Sequence, residues 1–176
     1  MTRGKIRSRS VVVIGGTGTI GSAVCQSLVK NGVHTIATFH RTHSCQKVDG
    51  VGIDYYQCDL LRPREVNDLL NFTITHSQGI QGLVVCLPGC FPGKTAMEMS
   101  CLQAHISVVE AFAPYLMAHG GGEIVMLSST AARLPFNIEN ARFYAGTKGY
   151  IESYVRASSG EFAPHVRINA LALGII

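Results

Sequence analysis

Short runs of aliphatic and β-branched residues alternate along this chain with longer segments in which apolar residues recur every three or four positions. Runs of the first kind are typical of strands buried in a parallel sheet, and segments of the second kind are typical of helices with one buried face. Their alternation predicts an α/β fold, a doubly wound parallel sheet with helices on both faces. The predicted strands cover residues 10–14, 33–39, 52–57, 83–87, 123–127 and 166–172, and the predicted helices begin at Ser22 and near Pro63 and cover 95–119 and 141–162.

The turn between the first strand and the first helix contains three glycines spaced three residues apart, Gly15, Gly18 and Gly21. Glycines at this spacing let the backbone turn tightly, approach a diphosphate closely and present helix N–H groups to that anion. Glycines also occur in ordinary loops, but here a predicted strand precedes them and a predicted helix follows. The pattern therefore indicates a dinucleotide-binding turn.

A basic corner, His40-Arg41-Thr42-His43, follows the second predicted strand. About twenty residues past the glycines, an NAD site carries an acidic residue for the ribose hydroxyl, whereas an NADP site offers a basic group to the 2′-phosphate. Arg41 is the best placed residue for that contact, and the alternative is a solvated arginine at a strand end. We therefore predict NADP (NADPH) rather than NAD as the cofactor. Asp59, at the end of the third strand, either contacts the adenine or caps its own turn.

The composition and charge of the chain bear on its domain count and exclude some classes of function. The 176 residues are 47% hydrophobic, which predicts a single domain over 1–176, with a basic leader at residues 1–9. Outside that leader the basic residues are dispersed, so no nucleic-acid partner is expected. The first apolar run is too short for a signal peptide and no run approaches a membrane span, so we expect a cytoplasmic protein that does not bind membranes.

The six cysteines form no Cys-x-x-Cys pair. Four of them have apolar neighbours, which favours reduced thiols that serve in packing. His40, His43 and Cys45 lie close in sequence, but no second pair of ligands stands nearby at a useful spacing. We therefore expect no metal site.

Candidate chemistry lies in the helix that follows the fifth strand. Tyr144 and Lys148 are four residues apart, which puts both side chains on one helix face. A lysine ammonium beside a tyrosine stabilises the phenolate, so the pair can move a proton near neutral pH. A hydroxyl from Ser128 or Ser129 could hold a substrate carbonyl oxygen while Tyr144 donates a proton and a nicotinamide supplies hydride. The pattern predicts carbonyl reduction or its reverse. The alternative is an ordinary amphipathic helix on which Lys148 extends its ammonium group to solvent.

These features together resemble the short-chain dehydrogenases/reductases over nearly the whole chain. The turn from Gly15 to Gly21 resembles the family's cofactor turn, residues 122–125 lead to Ser129 as its catalytic serine, and residues 167–174 resemble the segment that approaches the nicotinamide. The resemblance implies a Rossmann fold and is closest to reductases of the 3-oxoacyl-carrier-protein type. The implied catalytic residues are Ser129, Tyr144 and Lys148, and the implied cofactor contacts are Gly15, Thr17, Gly18, Thr19, Ile20, Gly21, Arg41, Asp59, Leu60, Gly89, Tyr144 and Lys148.

Three departures from the family pattern leave a second hypothesis open. Residues 86–89 read Cys-Leu-Pro-Gly where the family has Asn-Asn-Ala-Gly, and Cys101 stands where the family has an asparagine that orders a proton-relay water. The sequence shown also ends at Ile176, where the family's substrate loop and last strand would begin, so we expect a fold without them. The alternative is a non-catalytic dinucleotide-binding protein, a scaffold or a redox-responsive regulator.

The resemblance also implies partners. Family members commonly pair their subunits through the helices that correspond to residues 95–119 and 141–162, which predicts a homodimer or homotetramer. The expected substrate is a small-molecule carbonyl or secondary alcohol.

Overall fold

The structure is a computed structural model that describes residues 9–41, 52–89, 95–135 and 141–174, with the backbone alone for residues 95–99. Its elements follow one another as strand β1, helix α1, strands β2 and β3, helix α2, strand β4, helix α3, strand β5, a short 3₁₀ turn, helix α4 and strand β6. Their bounds are β1 Ser10–Ile14, α1 Thr19–Lys30, β2 Thr35–Phe39, β3 Ile53–Gln57, α2 Pro63–His76, β4 Ile80–Val85, α3 Thr95–Ala118, β5 Gly122–Ser129, the turn Thr130–Ala132, α4 Ala141–Phe162 and β6 Val166–Leu173.

All strand pairs in the sheet are parallel, and the strand order is β3-β2-β1-β4-β5-β6. This confirms the predicted doubly wound sheet. The strand order reverses at β1, which has β2 on one side and β4 on the other. Ligands of such sheets bind outside the carboxyl ends of the strands at this reversal, because the connections there diverge to opposite faces and leave a crevice.

Alternate residues of β1 face two different cores. Val12 and Ile14 belong to the larger apolar cluster, which includes buried residues of α2, α3 and α4. Val11 and Val13 belong to a smaller cluster with Cys25 of α1. Because side chains on a strand alternate between its faces, this pattern places helices on both sides of the sheet and buries β1 between them.

Several predicted element bounds were wrong. Helix α1 begins at Thr19 rather than Ser22, so the last glycine of the cofactor turn lies inside the helix. Strand β4 begins at Ile80, which pairs with Ser10, rather than at residue 83. Gly82 thus lies within β4, where an added Cβ would come within 3.3 Å of the Glu123 carbonyl oxygen on β5. The close approach of the neighbouring strand accounts for the glycine at this position.

Strand β5 is longer than predicted and includes both serines. Ser128 pairs with Ala172 and Ser129 pairs with Leu173 on β6, so the ladder continues to the last residue of β5. Strand β6 correspondingly extends to Leu173. Both hydroxyl-bearing residues are therefore held by the sheet backbone and not by a loop.

Burial raises the pKa of the Cys25 thiol to about 11 and that of the Cys58 thiol to about 12, the latter with added effect from nearby carboxylates. Both thiols therefore stay protonated near neutral pH, as packing residues do.

In the part of the chain that the structure describes, no helix is both long enough and apolar enough to cross a bilayer.

Candidate functional site

A cavity of about 580 Å³ opens at the carboxyl ends of the central strands. The first turn of α1 forms one side of it, and the ends of β4 and β5 and the start of α4 form the others. Eight residues predicted from the sequence as cofactor or catalytic residues line this one space. They are Gly18, Thr19, Ile20, Gly21, Gly89, Ser129, Tyr144 and Lys148.

The α1 side of the cavity fits an anionic group. Gly18 is the N-cap residue of α1, and no side chain caps the helix, whose first turn also contains no acidic residue. The N–H groups at a helix start need acceptors, and the helix dipole favours negative charge there. The residues present therefore fit the diphosphate of a dinucleotide.

Gly21 makes the closest backbone approach in the turn. A Cβ built on it would lie 2.1 Å from the Gly15 carbonyl oxygen and 2.9 Å from the Gly16 Cα. The neighbouring atoms belong to the backbone and cannot rotate away. Only glycine at this position lets α1 start so close to the end of β1.

Lys148 is almost fully buried at the back of the cavity, with 3% of its surface exposed. Its Nζ donates hydrogen bonds to the Leu127 carbonyl oxygen at 2.8 Å and to the Leu87 carbonyl oxygen at 3.2 Å. The same nitrogen lies 5.9 Å from the centre of the Tyr144 ring. Backbone carbonyls at the ends of β4 and β5 thus replace water around the ammonium and hold it beside the tyrosine.

Gly89 lies directly against this pair. A Cβ on Gly89 would come within 2.4 Å of Tyr144 Cδ2 and 3.2 Å of Lys148 Cε. Any larger residue would push the tyrosine ring away from its present position. The glycine that follows β4 therefore sets where the Tyr144 ring can lie.

The two serines at the end of β5 differ in their partners. Ser128 is buried, and its single hydroxyl hydrogen is shared between two acceptors on α4, the Lys148 carbonyl oxygen at 3.1 Å from Oγ and Glu152 Oε1 at 3.0 Å. Ser129 Oγ instead accepts a hydrogen bond from the Ala131 amide at 3.2 Å. Ser129 therefore retains its own hydroxyl hydrogen for a further acceptor, whereas the hydrogen of Ser128 is directed to α4.

The remaining predicted residues lie elsewhere. Asp59 lines a second, polar cavity of about 390 Å³ with His40, Gln57, Arg62 and Glu65. Its Oδ1 accepts from the Leu61 amide at 3.1 Å, so of the two alternatives for Asp59 the turn cap is present. Four other predicted cofactor contacts are not among the lining residues of either cavity: Gly15, Thr17, Arg41 and Leu60.

Helix α3 covers the other side of the segment that follows β4. Cys101 Sγ donates to the Pro88 carbonyl oxygen at 3.5 Å. His105, one turn further and 1% exposed, donates from Nδ1 to the Cys101 carbonyl oxygen at 2.7 Å, while its Nε2 has no hydrogen-bond partner among the described residues. The segment after β4 is thus contacted from both sides, by Cys101 of α3 at Pro88 and by Lys148 of α4 at Leu87.

No role for His105 was predicted from the sequence, because a single histidine among the apolar residues of a predicted helix has no spacing that marks a site. The buried stripe of α3 includes it together with Val108, Val109, Phe112 and Leu116. Burial lowers the pKa of His105, the Lys148 charge adds to this effect, and the Cys101 carbonyl partly offsets it. The imidazole is therefore neutral in the folded protein near neutral pH.

We expect His105 to destabilise the fold in acid. Below pH 6.5, its ordinary pKa, the unfolded chain takes up a proton that the folded chain excludes, so the free energy of unfolding falls as pH drops, by up to about 1.4 kcal/mol per unit. Denaturant unfolding at pH 7 and pH 5 measures this loss. It should be smaller in His105→Leu than in wild type and unchanged in the exposed-site control His165→Gln. If His105→Leu loses as much free energy of unfolding between pH 7 and pH 5 as wild type does, His105 is not the source of the acid sensitivity.

A family model described as short chain dehydrogenase matches residues 9–176. The chain belongs to the short-chain dehydrogenase family. It is 26% identical over 188 residues to the protein named Probable galactose dehydrogenase GalD from Rhizobium meliloti (strain 1021), covering 97% of this chain and 73% of that one. This membership makes it one of a family of oxidoreductases.

Solved structures of other proteins share the fold. The ligand-free aldohexose dehydrogenase AldT of Thermoplasma acidophilum superposes with a TM-score of 0.82 at 20% identity, over 96% of this chain and 67% of that one. The structure titled ElxO with NADP Bound gives a TM-score of 0.81 at 20% identity, over 96% and 74%. The chain thus spans between two thirds and three quarters of the length of these three relatives.

No metal site is expected from the sequence, and of His40, His43 and Cys45 the last two lie among residues 42–51, outside the part that the structure describes. Within the described ranges no group of three or more His, Cys, Asp and Glu side chains could hold a metal ion. The predicted basic leader is likewise described only from residue 9 onward.

Proposed function

We propose that this protein interconverts a carbonyl and a secondary alcohol by NADP(H)-dependent hydride transfer. One observation carries the proposal: a single cavity is lined both by the uncapped start of α1 and by Ser129, Tyr144 and Lys148. An anion-binding helix start and a proton-transfer group in one space are what a dinucleotide-dependent reduction requires. NADPH, when bound, supplies the hydride.

Each of the three side chains has a distinct role in this proposal. Ser129 donates its hydroxyl hydrogen to the substrate oxygen and so orients it. Tyr144 transfers its phenolic proton to that oxygen as the alcohol forms. Lys148, buried and held by the Leu87 and Leu127 carbonyls, keeps its ammonium group in a fixed place 5.9 Å from the centre of the Tyr144 ring.

Substrate turnover tests the proposal directly. Purified protein is mixed with NADPH and a panel of small carbonyl compounds, and the absorbance of NADPH is followed. The panel includes 3-oxoacyl thioesters, because of the resemblance to 3-oxoacyl-carrier-protein reductases, and aldohexoses with NADP, because of the names of two relatives. Specific turnover supports the proposal; NADPH binding without turnover of any member contradicts it.

Binding without turnover would favour the second candidate, a non-catalytic dinucleotide-binding scaffold or redox-responsive regulator. One observation supports this candidate. The Cys101 thiol is used in packing against the Pro88 carbonyl, where the family resemblance expects an asparagine of the proton relay.

The preference for NADP over NAD rests on Arg41, which is exposed just after β2. We expect Arg41→Asp to weaken NADPH binding by about 10- to 100-fold, since a hydrogen bond between charged groups contributes about 1.5–3 kcal/mol. NADH binding should change by less than threefold. Fluorescence titration measures both dissociation constants, and Arg156→Asp on the exposed face of α4 makes the same charge change elsewhere. Tighter binding of NADH than of NADPH to the unmutated chain would refute the preference.

Self-association through α3 and α4 remains a prediction of the same proposal. Phe143 and Tyr150 of α4 expose about half of their surface, 51% and 45%. Apolar groups of this size on a helix face are suited to burial against a second copy of the chain. A cytoplasmic location likewise stays a prediction.

A further inference from the structure

Glu152 is a buried carboxylate that the proposed chemistry does not use. It lies on α4 one turn beyond Lys148 and is 8% exposed. Both of its oxygens have partners: Oε1 accepts from Ser128 Oγ at 3.0 Å and Oε2 accepts from Arg133 Nε at 2.7 Å. A buried carboxylate is costly unless each oxygen is hydrogen-bonded, and here each one is.

The two partners of Glu152 stand on opposite sides of Ser129 in the chain. Ser128 immediately precedes it in β5, and Arg133 is the first residue after the 3₁₀ turn that immediately follows it. The Arg133 and Leu134 amides donate back to the Thr130 carbonyl oxygen of that turn at 3.0 and 2.9 Å. One carboxylate therefore restrains the backbone before and after Ser129.

The same group of contacts also reaches Lys148. Ser128 Oγ lies 3.1 Å from the Lys148 carbonyl oxygen as well as 3.0 Å from Glu152. The end of β5 and the first turns of α4 are thus joined by polar contacts at Lys148 and at Glu152. Through Ser128, α4 is therefore connected to the strand end that carries Ser129.

Stability alone does not account for this arrangement. The Arg133 side chain is 66% exposed, and an ion pair with so exposed a partner contributes at most about 1 kcal/mol. A buried carboxylate, by contrast, has a large desolvation cost, and apolar residues of similar size often stabilise a fold as well or better. The geometry instead couples two elements that carry candidate catalytic groups.

We propose that Glu152 and Arg133 are positioning residues, which hold Ser129 in register with Tyr144 and Lys148. The inference rests on the proposed function, because it assigns them to the same reaction. A displacement of about 1 Å in a catalytic group can lower a rate by about a hundredfold. Loss of either partner therefore lowers kcat and leaves the α1 side of the cavity unchanged.

The test uses the full chain with Glu152→Gln, Arg133→Ala and Arg133→Lys, and with Glu161→Gln as an exposed control on α4. In Glu152→Gln and Arg133→Ala we expect kcat to fall at least tenfold, the dissociation constant of NADPH to change less than twofold, and amide hydrogen exchange at residues 131–134 to rise at least tenfold. Arg133→Lys should restore part of kcat, because it keeps the positive charge. Glu161→Gln should match wild type.

The outcomes separate this inference from the proposed function. If wild type turns substrate over and Glu152→Gln keeps the wild-type kcat, the positioning role is wrong. It is also wrong if Glu152→Gln loses kcat while amide hydrogen exchange rises throughout the chain, because the variant has then lost its fold and not a local restraint. If wild type shows no turnover but the variants still raise exchange only at 131–134, the proposed function fails and the restraint on Ser129 stands. Unchanged exchange at 131–134 overturns the inference in either case.

Discussion

Tyr144→Phe is expected to lower kcat by about 10²- to 10⁴-fold, the range typical of losing a general acid. Phenylalanine keeps the ring, which lies against Gly89 and near Lys148, so only the hydroxyl is removed. The dissociation constant of NADPH should change by less than threefold, because the first turn of α1 is untouched. Steady-state kinetics with NADPH and fluorescence titration of the same samples measure both quantities.

A matched control for this variant lies on the same helix. Tyr150 is half-exposed and stacks on Tyr154, with ring centres 6.5 Å apart, and it does not line the cavity. Tyr150→Phe should therefore keep the wild-type kcat. Full activity in Tyr144→Phe would rule out the assigned proton donor, and equal losses in both variants would point to damage to α4 as a whole.

Gly21→Ala is expected to raise the dissociation constant of NADPH at least about a hundredfold and to lower the free energy of unfolding by about 1–3 kcal/mol. The added Cβ would lie 2.1 Å from the Gly15 carbonyl oxygen, so either the turn or the start of α1 must move. Either movement displaces the N–H groups that fit the diphosphate. Cofactor titration and denaturant unfolding measure the two effects.

The control for this variant is Gly160→Ala, also in a helix, where an added Cβ meets no atom within 4 Å. It should stabilise the fold by up to about 1 kcal/mol, because alanine has the higher helix propensity, and should leave NADPH binding unchanged. If Gly21→Ala behaves like this control, the close approach of α1 to β1 has no part in cofactor binding.

Much of the architecture could be predicted because it depends on local patterns. The start of α2 at Pro63 follows from a proline suited to a first turn, and the end of α1 at Lys30 follows from the Asn31-Gly32 pair, which is suited to cap a helix end. The wrong element bounds occur where contacts between distant parts of the chain determine the residue at which a strand or helix begins. Ile80 joins β4 because Ser10 of β1 is its neighbour, and that pairing joins residues far apart in sequence.

The candidate site likewise has some features that local sequence patterns predict and others that only tertiary packing determines. A spacing of four along one helix suffices to predict that Tyr144 and Lys148 share a face, and the glycine pattern suffices to predict the turn. The partners of Ser128 and the enclosure of His105 depend instead on which helices pack at the end of the sheet. Glu152 could have been noted as the residue one turn beyond Lys148, but its pairing with Arg133 joins two elements whose relative position no local pattern gives.

The strand order of the sheet affects when the cavity can form during synthesis of the chain. The cavity lining runs from Gly18 to Gly174, and β1 gains its second neighbour only when β4 is available. A ribosome adds about 5–20 residues per second, so roughly 8–30 s separate the synthesis of these two residues. Pairing between distant parallel strands is also intrinsically slow. During synthesis, the glycine turn therefore emerges long before it has a pocket, and acquisition of the complete cavity marks a late stage in the maturation of the nascent protein.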